Sequence, residues 1–294
     1  MDKFNLCMAR FWIWLLCCFS KTSVKTRERV GAALGRILWL AVPKRRRIML
    51  TNLRLCFPEL SEEERVALAR KTYRRAGRAA LDHSVLFKGT KEEVQALVRY
   101  DGLELVTNTE NRPLIVVAPH FIGLDAVGIG FNTHVRGLSL YQKQSNPAWD
   151  EACLKGRLRF CNPILIEKGH SSDLRPVIRA MREGFPFYYL PDMDHGRKNS
   201  IFVPFFGVQA ATLPMVSRLA KLTKAKVMWC ISEMTDEGYV AHIRPIENFP
   251  TADYVADTER INRELEQWIR KYPDQYLWTH RRFKTRPEGE PSVY

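Results

Sequence analysis

Residues 114–128 read LIVVAPHFIGLDAVG, and the order of residue types in this stretch decides the architecture. Leu114 to Ala118 form a short continuous apolar run, as in a strand buried on both faces. Pro119 ends the run, Gly123 supplies a place to turn, and Leu124 to Asn132 has a helical texture. His120 and Asp125 flank that turn. In a continuous strand residues five apart face opposite sides, and in a continuous helix they stand about 140° apart, so the two can meet only where the backbone turns. The expectation is a histidine base oriented by a carboxylate at the end of a buried strand. The same spacing recurs at His242 and Glu247, but YVAHIRPIE contains Pro245 and no glycine, so His242 reads as a strand residue.

Working outward, the texture after Arg112-Pro113 alternates short apolar runs with helical patterns. Strands are expected at Leu114 to Ala118, Leu138 to Tyr141, Pro163 to Ile166, Phe187 to Leu190, Lys226 to Ile231 and Tyr239 to Ile246. Helices fall at Leu124 to Asn132, Trp149 to Phe160, Asp173 to Glu183, Pro214 to Leu222 and Asp257 to Lys271. This alternation predicts an α/β fold with a mainly parallel sheet sandwiched by helices. In such sheets sites gather at the carboxyl ends of strands, where His120 follows one strand and Pro191-Asp192-Met193-Asp194 another. Upstream, Ser61 with Glu64 and Thr90 with Glu93 have the Ser/Thr-x-x-Glu spacing of capping boxes, and the first opens a long amphipathic helix.

At 294 residues with 46% hydrophobic and 27% charged residues, the chain has the balance of an ordinary globular protein, with no low-complexity linker. The 46 Lys and Arg outnumber the 32 Asp and Glu, for a formal charge of +14 that favours polyanions or anionic surfaces. Basic residues crowd the first hundred positions, notably Lys44 to Arg47. The 7 cysteines form no paired framework and no zinc spacing, which fits a reducing compartment.

The amino terminus carries an apolar run, FWIWLLCCF, from Phe11 to Phe19, extended by a weaker stretch back to Phe4 and flanked by Lys21, Lys25 and Arg27. It is short for a span, which needs about 20 apolar residues. Its tryptophans and flanking bases suit a helix lying in the headgroup region. A second apolar stretch, VGAALGRILWLAVP, ends at Pro43 before the basic cluster. Residues 1–43 are therefore expected to form a helical membrane-associating arm, with residues 44–294 as the α/β domain; a pair of buried core helices is the alternative.

Four segments stand together: APHFIGLD, GRLRF at Gly156 to Phe160, YYLPDMDHGRKNSIFVPFFGVQAATLP and YLWTHRRFKTRP. In this combination the chain resembles the late, lauroyl/myristoyl-type acyltransferases of lipid A biosynthesis, within the lysophospholipid acyltransferase superfamily. The resemblance extends over nearly the whole chain, including NLRLCFPELSEEER. Glycerolipid relatives carry Phe-Pro-Glu-Gly-Thr after the histidine; here Phe57-Pro58-Glu59 precedes it and lacks Gly-Thr. Many relatives have Glu where Asp125 stands.

The resemblance implies transfer of a saturated acyl chain from acyl carrier protein to a hydroxyl of a lipid A precursor, at the cytoplasmic face of the inner membrane, without metal or redox cofactor. His120 would be the base and Asp125 its orienter. Arg157, with Arg159 beside it, would bind the lipid's phosphate or the oxyanion. Asp192 and Asp194 would buttress a basic residue or position the acceptor, against the simpler reading of a loop turn. Phe205-Phe206-Gly207 and Thr212 would shape the acyl channel, or would be core at a bend. An acyltransferase for another lipid, and a basic membrane- or nucleic-acid-binding protein with an inert His-Asp pair, are the rival readings. No nucleic-acid-binding pattern is evident, and such binding would leave the apolar arm unexplained.

Overall fold

The computed structural model describes residues 3–167 and 173–294. Helices open the chain: α1 (Lys3–Cys17), α2 (Val24–Ala41), α3 (Pro43–Cys56), α4 (Glu62–Lys88) and α5 (Lys91–Leu97). The rest alternates: β1 (Val98–Asp101), α6 (Leu103–Thr107), β2 (Leu114–Val117), α7 (Leu124–Phe131), β3 (Leu138–Tyr141), α8 (Pro147–Leu158), β4 (Ile164–Glu167), α9 (Arg175–Arg182) and β5 (Phe187–Tyr189). There follow β6 (Ile201–Phe205), β7 (Val208–Thr212), α10 (Met215–Thr223), β8 (Lys226–Met234), β9 (Tyr239–Pro245) and α11 (Tyr254–Lys271). Both capping boxes form: the Ser61 hydroxyl accepts the Glu64 amide while the Glu64 carboxylate accepts the Ser61 amide at 2.7 Å, and Thr90 and Glu93 repeat the exchange.

Seven strands form one sheet in the order β1-β9-β8-β2-β5-β3-β4. Every pairing is parallel except β8 with β9. The mainly parallel sheet between helical layers agrees with the sequence reading. Central β2 has every residue fully buried, because alternate side chains serve two cores: Ile115 and Val117 point to one face, Leu114 and Val116 to the other.

Three strands escaped the sequence pattern. β1 is a short edge strand whose VRYD run has only one fully buried residue. β6 and β7 form a separate antiparallel hairpin, although Pro204 inside the apolar run argues against a strand. It survives because it belongs to a two-stranded hairpin, not to the main sheet; α11 packs against it, and Asn262 donates to the Pro204 carbonyl at 2.9 Å.

The helices before β1 bear directly on the site. α2 crosses α4 at a glycine seam, where a Cβ on Gly77 would lie 2.0 Å from the Gly31 carbonyl oxygen and one on Gly35 2.4 Å from the Tyr73 oxygen. Arg27 of α2, buried, donates to Asp82 of α4 at 2.6 Å, and Tyr239 of β9 donates to the same carboxylate at 2.7 Å. The second half of the expected arm is thus locked into the body. α1 packs on α4 and α8 and leaves Trp12 58% and Trp14 61% exposed. Among the described residues no helix is long and apolar enough to cross a membrane.

Candidate active site

β2 delivers its chain end to the loop Ala118 to Gly123, and backbone bonds from the carboxyl-terminal segment pin that loop. Leu277 donates to the His120 carbonyl at 2.9 Å, and Ile122 donates to Gln275 at 2.7 Å. Gly123 precedes α7 with an ordinary φ of −80°, so the turn does not demand glycine for its backbone. Space demands it: a Cβ there would lie 2.6 Å from the Tyr239 ring.

His120 is held by Asp192, in the loop after β5, the strand that pairs parallel with β2. Asp192 Oδ1 stands 2.7 Å from His120 Nδ1, while Oδ2 accepts the His120 amide at 2.9 Å and the Tyr276 hydroxyl at 2.9 Å. An ionised carboxylate only accepts, so Nδ1 carries the proton and Nε2 is left for the cavity that the ring lines. Burial pulls the His120 pKa down, but the charge and hydrogen bond of Asp192, helped by Asp125, outweigh it and the net shift is upward. For Asp192 burial acts upward, and His120 with Tyr276 overrides it, lowering the carboxyl to about 2.

Asp125 does not take the place expected for it. It accepts from Arg157 Nη2 at 2.8 Å, and its other oxygen faces His83 Nε2 at 3.3 Å. The His83 Nδ1 in turn lies 2.8 Å from the Ala79 carbonyl. Both partners of His83 are acceptors, an arrangement that favours the doubly protonated ring. Its pKa is raised accordingly: burial opposes the charge, and Asp125 outweighs burial. Asp125, despite the upward pull of burial, is held far below the usual carboxylate range by Arg157 and His83. The carboxylate that follows the histidine in sequence therefore orients an arginine, and one from a neighbouring strand end orients the histidine. His83 had no signal in the sequence: it is one polar residue in a long amphipathic helix.

Of the remaining expected residues, Arg157 lines the same cavity as His120, a hollow of about 430 Å³ walled by the ends of β3, β4 and β5 and by Leu174, Leu213 and Met215. Arg159 is elsewhere. It donates to the carbonyls of Leu86, at 2.8 Å, and Gly89, closing the end of α4, and stacks on Phe160. Asp194 also turns away, accepting from the Thr285 amide at 2.7 Å and hydroxyl at 2.8 Å and from Gly196 at 2.8 Å, so it ties the carboxyl-terminal segment to the loop. Phe205 and Phe206 belong to the core, and Arg282 donates to the Thr212 hydroxyl at 2.7 Å. His242 sits on β9 with its Nε2 2.7 Å from Glu233, stacked against Trp268 and Tyr272, and takes no part in the cavity. Among the described residues no group of three or more His, Cys, Asp or Glu side chains comes together as a metal site.

A histidine with one nitrogen fixed by a buried carboxylate and the other open to a cavity is arranged to accept a proton there. A guanidinium on the same wall offers fixed positive charge to an anionic ligand or to charge that develops in a reaction.

The profile of the bacterial lipid A biosynthesis acyltransferases matches residues 3–285. The lipid A biosynthesis lauroyltransferase of Escherichia coli K12 is 32% identical over 90% of this chain and 88% of its own length. The lipid A biosynthesis myristoyltransferase of the same organism is 31% identical over 97% and 91%. Its lipid A biosynthesis palmitoleoyltransferase is 31% identical over 96% and 91%. Relatives named for three different acyl chains lie at nearly equal identity, so identity does not select a chain length.

Proposed function

This chain belongs to the bacterial lipid A biosynthesis acyltransferase family, and from that premise we propose that it moves a saturated acyl chain from acyl carrier protein to a hydroxyl of a phosphorylated lipid A precursor at the cytoplasmic face of the inner membrane. The observation that carries the mechanism is the His120–Asp192 bond at 2.7 Å, beside Arg157 on one cavity wall. A lipid hydroxyl is a weak nucleophile near neutral pH. His120 Nε2 accepts its proton as the oxygen attacks the thioester carbonyl, and Asp192 stabilises the imidazolium that forms. Arg157, aimed by Asp125, faces the carbonyl oxygen as it becomes an oxyanion. That attack forms the new C–O bond; collapse of the tetrahedral intermediate restores the carbonyl and breaks the C–S bond, and the carrier's thiolate takes the proton held by His120.

Docking follows from the surface. Phe11, Trp12 and Trp14 of α1 and Ile37 and Leu40 of α2 are exposed, and Lys44, Arg45 and Arg47 follow them into solvent. Apolar and aromatic side chains beside a cationic collar suit the interface of an anionic bilayer. The net charge of +14 favours approach to both the anionic lipid and an acidic carrier protein.

The test is turnover of His120→Ala with acyl carrier protein thioester and lipid A precursor, read by mass spectrometry of the lipid. A folded variant should lose roughly 10²-fold or more, while His242→Ala stays near the parent. Near-normal turnover in folded His120→Ala removes the base from the mechanism. A parent that adds no acyl mass to the lipid removes the proposed reaction.

A further inference from the structure

A second hollow of about 90 Å³ adjoins the cavity of His120: Arg157, Leu140, Tyr188 and Leu190 line both. It runs between α7 and the strands β3, β4 and β5, from Asp125 and Arg157 at the reactive end to Phe131 and Gly137 at the other. Seven helical rises from Leu124 to Phe131 make that path about 10 Å long. Its walls between the ends are mostly apolar, with Ile129 and Leu138 almost wholly buried.

Gly128 stands midway along it. Glycine in a helix interior is disfavoured relative to alanine, so its presence needs a reason. Packing supplies one for the neighbouring glycine, since a Cβ on Gly130 would lie 2.7 Å from the Tyr100 hydroxyl. At Gly128 the nearest atom to such a Cβ is in the Tyr188 ring at 3.5 Å, an ordinary contact. The fold does not require this glycine. What the missing side chain leaves is open space within the hollow.

We propose that this hollow holds the distal methylenes of the donor's acyl chain and that Gly128 is a specificity-determining residue, whose lack of a side chain sets the longest chain accepted. The inference rests on the acyl transfer proposed above. A chain whose thioester carbonyl lies between His120 and Arg157 has its alkyl tail at the mouth of this hollow, where burial of each further methylene favours binding until the space ends.

The experiment compares the parent with Gly128→Leu and Gly128→Ala, using decanoyl, dodecanoyl, tetradecanoyl and hexadecanoyl carrier protein at fixed acceptor concentration. In Gly128→Leu the ratio of kcat/KM for the longest accepted donor to that for the shortest should fall roughly tenfold or more, with the shortest donor turned over near the parent rate. Gly128→Ala, for which the structure has room, should fold as the parent does and shift the ratio less in the same direction. An unchanged donor profile in the folded variants, an equal loss for every donor, or a raised KM for the lipid acceptor alone overturns the proposal. If the parent transfers from none of these donors, the proposed reaction has failed separately, and the hollow is then probed by binding. Hexadecanoate should raise the melting temperature of the parent more than that of Gly128→Leu, and equal shifts overturn the assignment.

Discussion

Asp192→Asn separates the two carboxylates that compete for the role of orienter. Oδ2 of Asp192 accepts two donors, the His120 amide and the Tyr276 hydroxyl, whereas Oδ1 meets only His120 Nδ1. An asparagine keeps more bonds by placing its carbonyl oxygen at the Oδ2 position. Its amide nitrogen then donates to Nδ1, and the imidazole proton moves to Nε2, the nitrogen that must accept. Turnover should fall roughly 10³–10⁴-fold while the fold is retained. The lowering of Asp192 from 3.8 to about 2 sets the linked loss of stability at about 2 kcal/mol. The sign follows: this contribution is present above the unfolded carboxyl pKa and disappears as pH falls through the folded value. A second signature lies in the pH profile. The upward shift of His120, caused by the charge and hydrogen bond of Asp192, moves the acid limb of the parent up from the ordinary imidazole value, with activity lost as pH falls through it. Without the Asp192 charge the limb moves to lower pH, because burial, which favours the neutral ring, is then opposed only by the more distant Asp125. Stopped assays of kcat/KM against pH, with circular dichroism melts of both proteins, read these effects. A folded Asp192→Asn protein within tenfold of parental turnover, or with an unmoved acid limb, would refute the orienting role.

Arg157→Ala should lower kcat by about 10²-fold with little change in KM for the lipid, and Arg157→Lys should rescue little, because the lysine cannot present the guanidinium fork; a raised KM with normal kcat would instead mark a phosphate contact. Gly77→Ala should destabilise by about 1–3 kcal/mol or more, since its Cβ would stand 2.0 Å from the Gly31 oxygen, whereas Gly128→Ala should not; matching thermal midpoints for the two would contradict the seam. Trp12→Ala with Trp14→Ala should weaken partition onto anionic vesicles roughly tenfold or more without altering the helix signal; unchanged cosedimentation would remove these rings from the docking surface.

The sheet was legible because its central strands are short apolar runs cut by glycine and proline, and β3 falls on the expected residues. The histidine at the cavity was legible for the same reason: it follows the most completely buried strand. Its partner was legible only in part: Asp192 stood out as a loop carboxylate that would buttress a basic residue, with nothing to say which one. Asp192 lies 72 residues beyond His120, and only the parallel pairing of Ile115 with Phe187 and its neighbours brings the two strand ends together. The nearest carboxylate in sequence was the natural candidate, but α7 carries Asp125 toward α4 and α8. Arg159 shows the complementary lesson. Two residues from Arg157 near the end of α8, it points to another side, and sequence alone cannot tell which of two such arginines faces a cavity. Gly123 was singled out for the right position and the wrong cause, since its backbone is ordinary and the aromatic ring above it is not visible from local sequence.

The glycine seam makes the amino-terminal arm hard to detach. α4 carries Gly77 against α2, Asp82 against Arg27, and His83 against Asp125, so the contact that anchors the arm and the contact that aims Arg157 sit within two turns of one helix. Trimming the chain at residue 43 to obtain a more tractable protein would strip a face from α4 and leave the Asp82 carboxylate buried without Arg27. A cut near Lys21, just ahead of α2, removes the exposed tryptophans and spares the seam. Engineering for solubility therefore begins with α1 alone.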